Sequence, residues 1–163
     1  MGMLARYIAV SEDELNRLID LGDEPIVDEI DALEEKNPTL DLDKMWDGLH
    51  FILTGVSASE PLEGDPLSDA VVGVHVIDDE TFIAATGHNE LEEIIRALSS
   101  IDRAQLKSEF SPSRLNEEDI YPNIWLSEDS EALFSELTQS LDQLLHFYQQ
   151  CRKDGSHVLV TIY

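Results

Sequence analysis

The sequence contains few basic residues. Ten Lys and Arg stand against 35 Asp and Glu in 163 residues, which gives a formal net charge of −25 at pH 7. A surface of this sign repels nucleic-acid phosphates and anionic lipid headgroups, so we expect no direct binding to nucleic acid or to a membrane. Cationic proteins, metal ions and polyamines are the partners that such a surface attracts.

Cysteine and long apolar segments are also scarce. The single cysteine, Cys151, excludes an internal disulfide and is typical of a reducing cytoplasm. It falls on an apolar helical stripe, where we expect a buried and unreactive thiol. The longest mostly apolar stretch, residues 49–56, is too short to span a bilayer, and no secretory signal is recognisable. We therefore predict a cytoplasmic protein.

No motif in the sequence specifies a chemistry. Glycine-rich phosphate-binding loops are absent, and the five histidines lack the spacing of a structural zinc site. An EF-hand loop starting at Asp41 fails, because its sixth position is Trp46 instead of glycine and its twelfth is Ile52 instead of glutamate. Ser57 lacks the second glycine of a nucleophile elbow. We predict no cofactor and no metal, and the motifs do not decide whether the protein is an enzyme.

Apolar periodicity predicts one α/β domain over residues 1–163, a helix-rich three-layer sandwich with a small mixed β-sheet flanked by helices. The chain begins and ends in strands, and residues 111–126 are predicted to be irregular. Predicted strands cover 4–10, 72–77, 81–86 and 157–163. Predicted helices cover 11 to about 22, 25–36, 41–55, a short segment from 66, 91–98, 102–110 and 128–153.

The most strongly patterned segment is the predicted helix 41–55. Trp46 lies on its apolar face and is expected in the core. Asp43, Asp47, His50 and Thr54 follow helical spacing on the opposite face. Asp47 and His50, one turn apart, could bind a metal or act as a general base, because a carboxylate orients an imidazole and raises its basicity. A hydrogen-bonding or packing role for His50 is the alternative.

Further candidates lie near the predicted strand ends, where α/β proteins build their sites. They are His75, His88 and His157, with Asp65 and Asn89 beside them. If a pocket exists, these side chains are expected to line it.

Three runs of residues resemble the bacterial YfbM-like proteins. The first, residues 46–55, reads Trp-Asp-Gly-Leu-His-Phe-Ile-Leu-Thr-Gly; the second, 65–73, reads Asp-Pro-Leu-Ser-x-Ala-Val-x-Gly. The third, 110–122, reads Phe-Ser-x-x-Arg-Leu-Asn-Glu-x-x-Ile-Tyr-Pro, and the chain opens with Met-Gly-Met. The resemblance covers essentially the whole chain.

This resemblance implies a three-layer α/β domain in a cytoplasmic bacterial protein. It implies no activity, and no catalytic residue can be carried over. The positions that match the family's motifs are Trp46, His50, Thr54, Gly55, Asp65, Gly73, Arg114, Asn116 and Tyr121.

Two functions follow as hypotheses. The first is a non-enzymatic acidic interaction protein that binds a basic protein partner, as small immunity proteins do, since no Lys or Arg occurs between Lys44 and Arg96. Tyr121 and Trp125 in loop 116–126 would form its hot spot, unless they complete the core. The alternative is a pocket protein for a small molecule or metal, or a hydrolase-like enzyme, using His50 and Asp47. A solvated acidic surface from a salt-tolerant cell would explain the charge without a partner.

Overall fold

The structure is a computed structural model that describes residues 2–21 and 25–163. Its strands are β1 (Ala5–Val10), β2 (Thr39–Asp43), β3 (His75–Asp78), β4 (Ile83–Thr86) and β5 (His157–Ile162). Its α-helices are α1 (Glu12–Asp20), α2 (Ile26–Lys36), α3 (Trp46–Thr54), α4 (Pro66–Val72), α5 (Leu91–Ser99), α6 (Arg103–Glu109), α7 (Pro112–Glu117) and α8 (Ser130–Asp154). A 3₁₀ turn at His88–Glu90 precedes α5. No helix in the described ranges is long and apolar enough to cross a bilayer.

The five strands form one sheet in the order β2-β1-β5-β4-β3. β5 is the last of them along the chain, and it lies at the centre, with Val160 opposite both Tyr7 of β1 and Ala84 of β4. Every described strand pair is antiparallel, so the prediction of a mixed sheet is wrong. Between β1 and β2, for example, two successive helices bring the chain back in the opposite direction.

Helices cover both faces of this sheet, which confirms the helix-rich, layered α/β fold. On one face, Ile8 and Leu159 pack with Leu18 of α1 and Ile30 of α2. The other face carries the larger core, formed by alternate strand residues such as Tyr7 and by α3, α4, α5 and α8. The period-2 alternation along β1 and β5 places successive side chains in different cores.

Capping residues in the sequence correctly predicted several helix ends. Ser11 and Glu14 form the predicted capping box at the start of α1, and the helix ends at Asp20, so its predicted end at Gly22 lies outside the described residues. Gly55 closes α3 with φ of +87°, a conformation that favours glycine, and Gly155 closes α8 in the same way.

Three element predictions were wrong. Residues 41–43 belong to strand β2, because Leu40 and Leu42 offer a period-2 pattern that pairs with β1, and Asp43 is therefore not on helix α3. Residues 112–117 form α7 within the segment predicted to be irregular, started by the Ser111 side chain and Pro112. Val72 ends α4 instead of beginning a strand.

Candidate functional site

Helix α3 carries the two strongest candidate residues, and both are buried. Asp47 is 4% exposed and His50 is 0% exposed. The expected polar outer face of this helix does not exist, because every residue from Trp46 to Phe51 is buried among α4, α8 and the loop that follows α3. Trp46 itself lies in the core, as predicted.

Two hydrogen bonds of the His50 ring, together with its burial, define its protonation state. Its Nδ1 lies 2.8 Å from the Val56 carbonyl oxygen, and its Nε2 lies 2.8 Å from Ser68 Oγ. Because a carbonyl can only accept, Nδ1 carries the proton and Nε2 accepts from the Ser68 hydroxyl. Burial lowers the pKa of His50 below its usual value, against the opposing effects of the Val56 hydrogen bond and the Asp47 and Asp65 carboxylates. The imidazole is therefore held neutral.

Asp47 does not orient His50, although the two lie on the same helix. Its Oδ1 accepts from the Ala58 backbone N–H at 2.7 Å and from the Ser57 hydroxyl at 2.9 Å. Its Oδ2 accepts from the Tyr121 backbone N–H at 2.9 Å. The carboxylate thus ties two loop segments to α3, and the three hydrogen bonds stabilise its negative charge without a neighbouring cation.

Ser68 and His50 have the geometry of a nucleophile and its general base. Ser68 is also 0% exposed, and its Oγ accepts a second hydrogen bond, from the Leu62 N–H at 3.0 Å. A substrate therefore has no access to the pair in this structure, and what the pair does is join α3 to α4. Sequence reasoning missed Ser68; the available signal was a small polar residue on the apolar side of the helix that starts at Pro66.

The candidates at the strand ends do not converge on His50. The His88 N–H donates to His157 Nδ1 at 2.9 Å, and His88 Nε2 lies 2.9 Å from the Arg152 carbonyl. Asn89 is exposed beside them. These contacts fasten the turn before α5 to the end of α8, so His88 and His157 contact each other and not His50.

Four carboxylates gather where α4 faces α5, and we call Asp65, Asp69, Glu90 and Glu93 the acidic patch. Partial burial, followed by the charges of Glu90, Asp65 and Glu93, raises the pKa of Asp69 to about 6. His75 Nε2 lies 2.9 Å from Glu90 Oε1, and within the described ranges it is the only basic side chain with a nitrogen within 4.0 Å of a carboxylate oxygen of the acidic patch. Asp65 also accepts from the Leu67 N–H at 2.9 Å and so caps α4.

Tyr121 and Trp125 both support the core. The Tyr121 ring stacks on the Trp46 ring, with the ring centroids 5.5 Å apart. Both side chains also bind the backbone of Met3: the Met3 N–H donates to Tyr121 Oη at 2.8 Å, and Trp46 Nε1–H donates to the Met3 carbonyl at 3.0 Å. Trp125 is 1% exposed and donates to the Ile120 carbonyl at 2.7 Å. The predicted hot spot in loop 116–126 is therefore wrong for Trp125, which completes the core.

The other two motif residues of that region are exposed. The Arg114 guanidinium lies 5.3 Å above the centre of the Phe51 ring, a cation–π contact. Asn116 is exposed at the surface of α7. Across residues 2–21 and 25–163, no group of three His, Cys, Asp or Glu side chains is placed to hold a metal ion.

A family model, a sequence relative and a solved structure all relate this chain to the same group of proteins. Residues 1–161 match the family described as Domain of unknown function (DUF1877). The chain is 38% identical over 165 residues to Protein YfbM of Escherichia coli (strain K12), covering 99% of both chains. The crystal structure of YfbM, a protein of unknown function from Escherichia coli, superposes with a TM-score of 0.84 at 35% identity, covering 99% of this chain and 100% of that one.

Proposed function

Because the chain belongs to the DUF1877 family, a domain of unknown function, we propose from its surface that it is a non-enzymatic interaction protein that binds a basic protein partner through the acidic patch. The observation that carries the proposal is the grouping of four carboxylates where α4 faces α5, and the pKa of Asp69, raised to about 6 by partial burial and by the neighbouring charges, agrees with it. Partial burial is the largest cause of this shift, and the neighbouring like charges add to it; a cationic partner would relieve the repulsion between these charges.

The buried pair His50 and Ser68 supports the same choice. Both side chains are fully buried and the neighbouring Asp47 is nearly so, and all three are engaged in hydrogen bonds inside the core. Among the exposed ionisable side chains of the described residues, carboxylates are the most numerous.

An exposed apolar residue follows His75 on the strand that contacts the acidic patch. β3 is an edge strand of the sheet, and its Val76, next to His75, is 61% exposed. Protein interfaces combine apolar contacts with a charged rim, and an edge strand offers free backbone hydrogen-bonding groups. A basic partner with a small apolar contact surface fits this combination.

Proton linkage gives the proposal a pH signature. Near pH 6 a substantial fraction of Asp69 is protonated, because its pKa is about 6. A cationic partner favours the ionised form, so binding releases a proton in this range. Affinity is therefore expected to rise as the pH increases from 5 to 7.

The test compares two triple variants with the same change in net charge. Asp65→Asn, Asp69→Asn and Glu93→Gln neutralise three of the four carboxylates of the acidic patch, and asparagine at position 65 can still cap α4. Glu117→Gln, Glu118→Gln and Glu131→Gln neutralise three exposed carboxylates at the end of α7 and the start of α8. Each tagged protein is incubated with lysate of its own cells at about 50 mM and about 500 mM salt, and captured proteins are identified by mass spectrometry.

The proposal predicts that the wild type and the α7–α8 variant retain the same basic protein at low salt. The patch variant should bind it about 3- to 150-fold more weakly, because each of its three substitutions removes a surface charge pair that contributes about 0.2–1 kcal/mol. Equal capture by both variants would show that the acidic patch is not the binding surface. Empty captures at both salt concentrations would remove the support for a basic partner.

A further inference from the structure

One arginine differs from all the others in its surroundings. Five of the six arginines lie beside a carboxylate, as the salt bridges show: Arg6 at 3.4 Å, Arg17 at 3.1 Å, Arg96 at 3.4 Å, Arg152 at 3.5 Å, and Arg103 paired with Asp142. Arg114 has no carboxylate oxygen within 4.0 Å among residues 2–21 and 25–163. In a chain with 35 Asp and Glu, this unpaired guanidinium is available to a carboxylate from outside.

Arg114 lies in the lining of a cleft between the end of α3 and helices α6 and α7. The cleft has a volume of about 280 Å³, and Phe51, Leu106 and Phe110 contribute apolar surface to it. Ligand pockets usually measure roughly 300–1,000 Å³, so this one suits only a small molecule. The Phe51 ring beneath the guanidinium restricts its position, which favours planar, bidentate recognition of a carboxylate.

Glu109 lines the same cleft and is exposed. It forms no ion pair with Arg114. The cleft therefore presents a positive and a negative group that are not neutralised by each other, with apolar side chains beside them. A molecule that carries both charges and one apolar group complements this arrangement.

We propose that this cleft binds a small zwitterionic ligand, an α-amino acid with an apolar side chain such as leucine or phenylalanine. The ligand carboxylate accepts from Arg114, its ammonium group lies near Glu109, and its side chain contacts Leu106 and Phe110. Such a ligand has no net charge, so the protein's charge of −25 does not repel it as it would repel a phosphate.

The test is isothermal titration of the full chain with L-phenylalanine and L-leucine. Saturable binding is expected, and Arg114→Gln should weaken it about 10- to 100-fold, because it removes the charge-assisted hydrogen bonds to the ligand carboxylate. Arg96→Gln is the matched control: it removes an arginine on α5 outside the cleft and should leave binding unchanged. Arg114→Lys keeps the charge and should bind more weakly than the wild type, which covers the case in which Arg114→Gln fails to fold.

Two further probes test the zwitterion assignment. The compound 3-phenylpropionate lacks the ammonium group and should bind more weakly than L-phenylalanine, and Glu109→Gln should abolish this difference. Inorganic phosphate bound as tightly as the amino acids would overturn the proposal. So would the absence of saturable binding up to about 10 mM ligand, or binding that Arg114→Gln and Arg114→Lys leave unchanged. None of these results depends on the acidic patch.

Discussion

Replacing His50 tests whether the buried hydrogen bonds of α3 are structural. His50→Ala removes the donor to the Val56 carbonyl and the acceptor for the Ser68 hydroxyl. A buried polar group that loses its partner costs about 1–3 kcal/mol, and the vacated ring volume adds a cavity term. Ser68 retains the Leu62 N–H, and the Thr54 hydroxyl lies near Val56, so the lower values apply. We expect a loss of about 3 kcal/mol in the free energy of unfolding.

Two conservative variants separate the two bonds. In His50→Asn the amide nitrogen lies near the position of Nδ1 and can donate to Val56. In His50→Gln the terminal oxygen lies near the position of Nε2 and can accept from Ser68. Each variant should lose less than His50→Ala, about 1–2 kcal/mol, because each leaves only one buried partner unpaired. Urea unfolding followed by the fluorescence of buried Trp46 and Trp125 measures all three.

The pH dependence of the same measurement has a defined sign. The pKa of His50 is lowered in the fold, mainly by burial, whereas in the unfolded chain it is about 6.5. The stabilisation from the neutral imidazole is therefore complete above pH 6.5 and is lost as the pH falls through the lowered pKa. The advantage of the wild type over His50→Gln should be larger at pH 8 than at pH 5.5. An advantage that is the same at both pH values, or a His50→Ala variant within about 0.5 kcal/mol of the wild type, would refute this reasoning.

Three other substitutions or reactions have expected outcomes. Gly48→Ala should lower the free energy of unfolding by about 1–3 kcal/mol, because the added Cβ would lie 2.3 Å from Cη2 of the buried Trp125. This loss outweighs the helix-propensity gain of up to about 1 kcal/mol. Urea unfolding measures the change, and a more stable variant would show that α3 can shift. Asp69→Asn should stabilise the protein at pH 7.5, by about 1 kcal/mol after allowance for solvent screening, since the raised pKa of about 6 makes the ionised form costly. That gain should disappear near pH 4, where native Asp69 is protonated, and unfolding curves at the two pH values would contradict the reasoning if the gain persisted. The Cys151 thiol, whose pKa burial raises to about 12, should react with a disulfide reagent at pH 8 only on unfolding; labelling of the native protein at the rate of a free thiol would argue against its burial.

The sequence predicted the elements that have local signals. The capping box at Ser11, the glycine ends at Gly55 and Gly155, and the apolar stripe of α8 all depend on residues a few positions apart, so they are readable in one dimension. Strand β2 was missed because Asp41-Leu-Asp agrees with both a helix and a strand pattern, and only pairing with β1 decides between them.

The surroundings of the candidate residues could not be predicted in this way. Asp47 and His50 were assigned to an outer face because polar residues at helical spacing usually face solvent. Their partners, Ser57, Ser68 and Tyr121, come from segments up to 74 positions away, and only the fold brings them together. The same holds for Arg114, whose lack of an ion pair depends on where the carboxylates lie.

The central place of β5 has a consequence for biosynthesis. The β2-β1 and β4-β3 hairpin-like halves of the sheet share no strand until β5 pairs with both. While residues 157–162 are still inside the ribosomal exit tunnel, β1 and β4 each lack the strand that pairs with their inner edge. The side chains that are buried in the folded sheet, including Tyr7, Ile8 and Ile83, then lack the neighbours that β5 provides. The nascent chain must therefore keep two unpaired inner edges until those residues emerge, and this interval is when chaperones would bind it and when aggregation threatens it most.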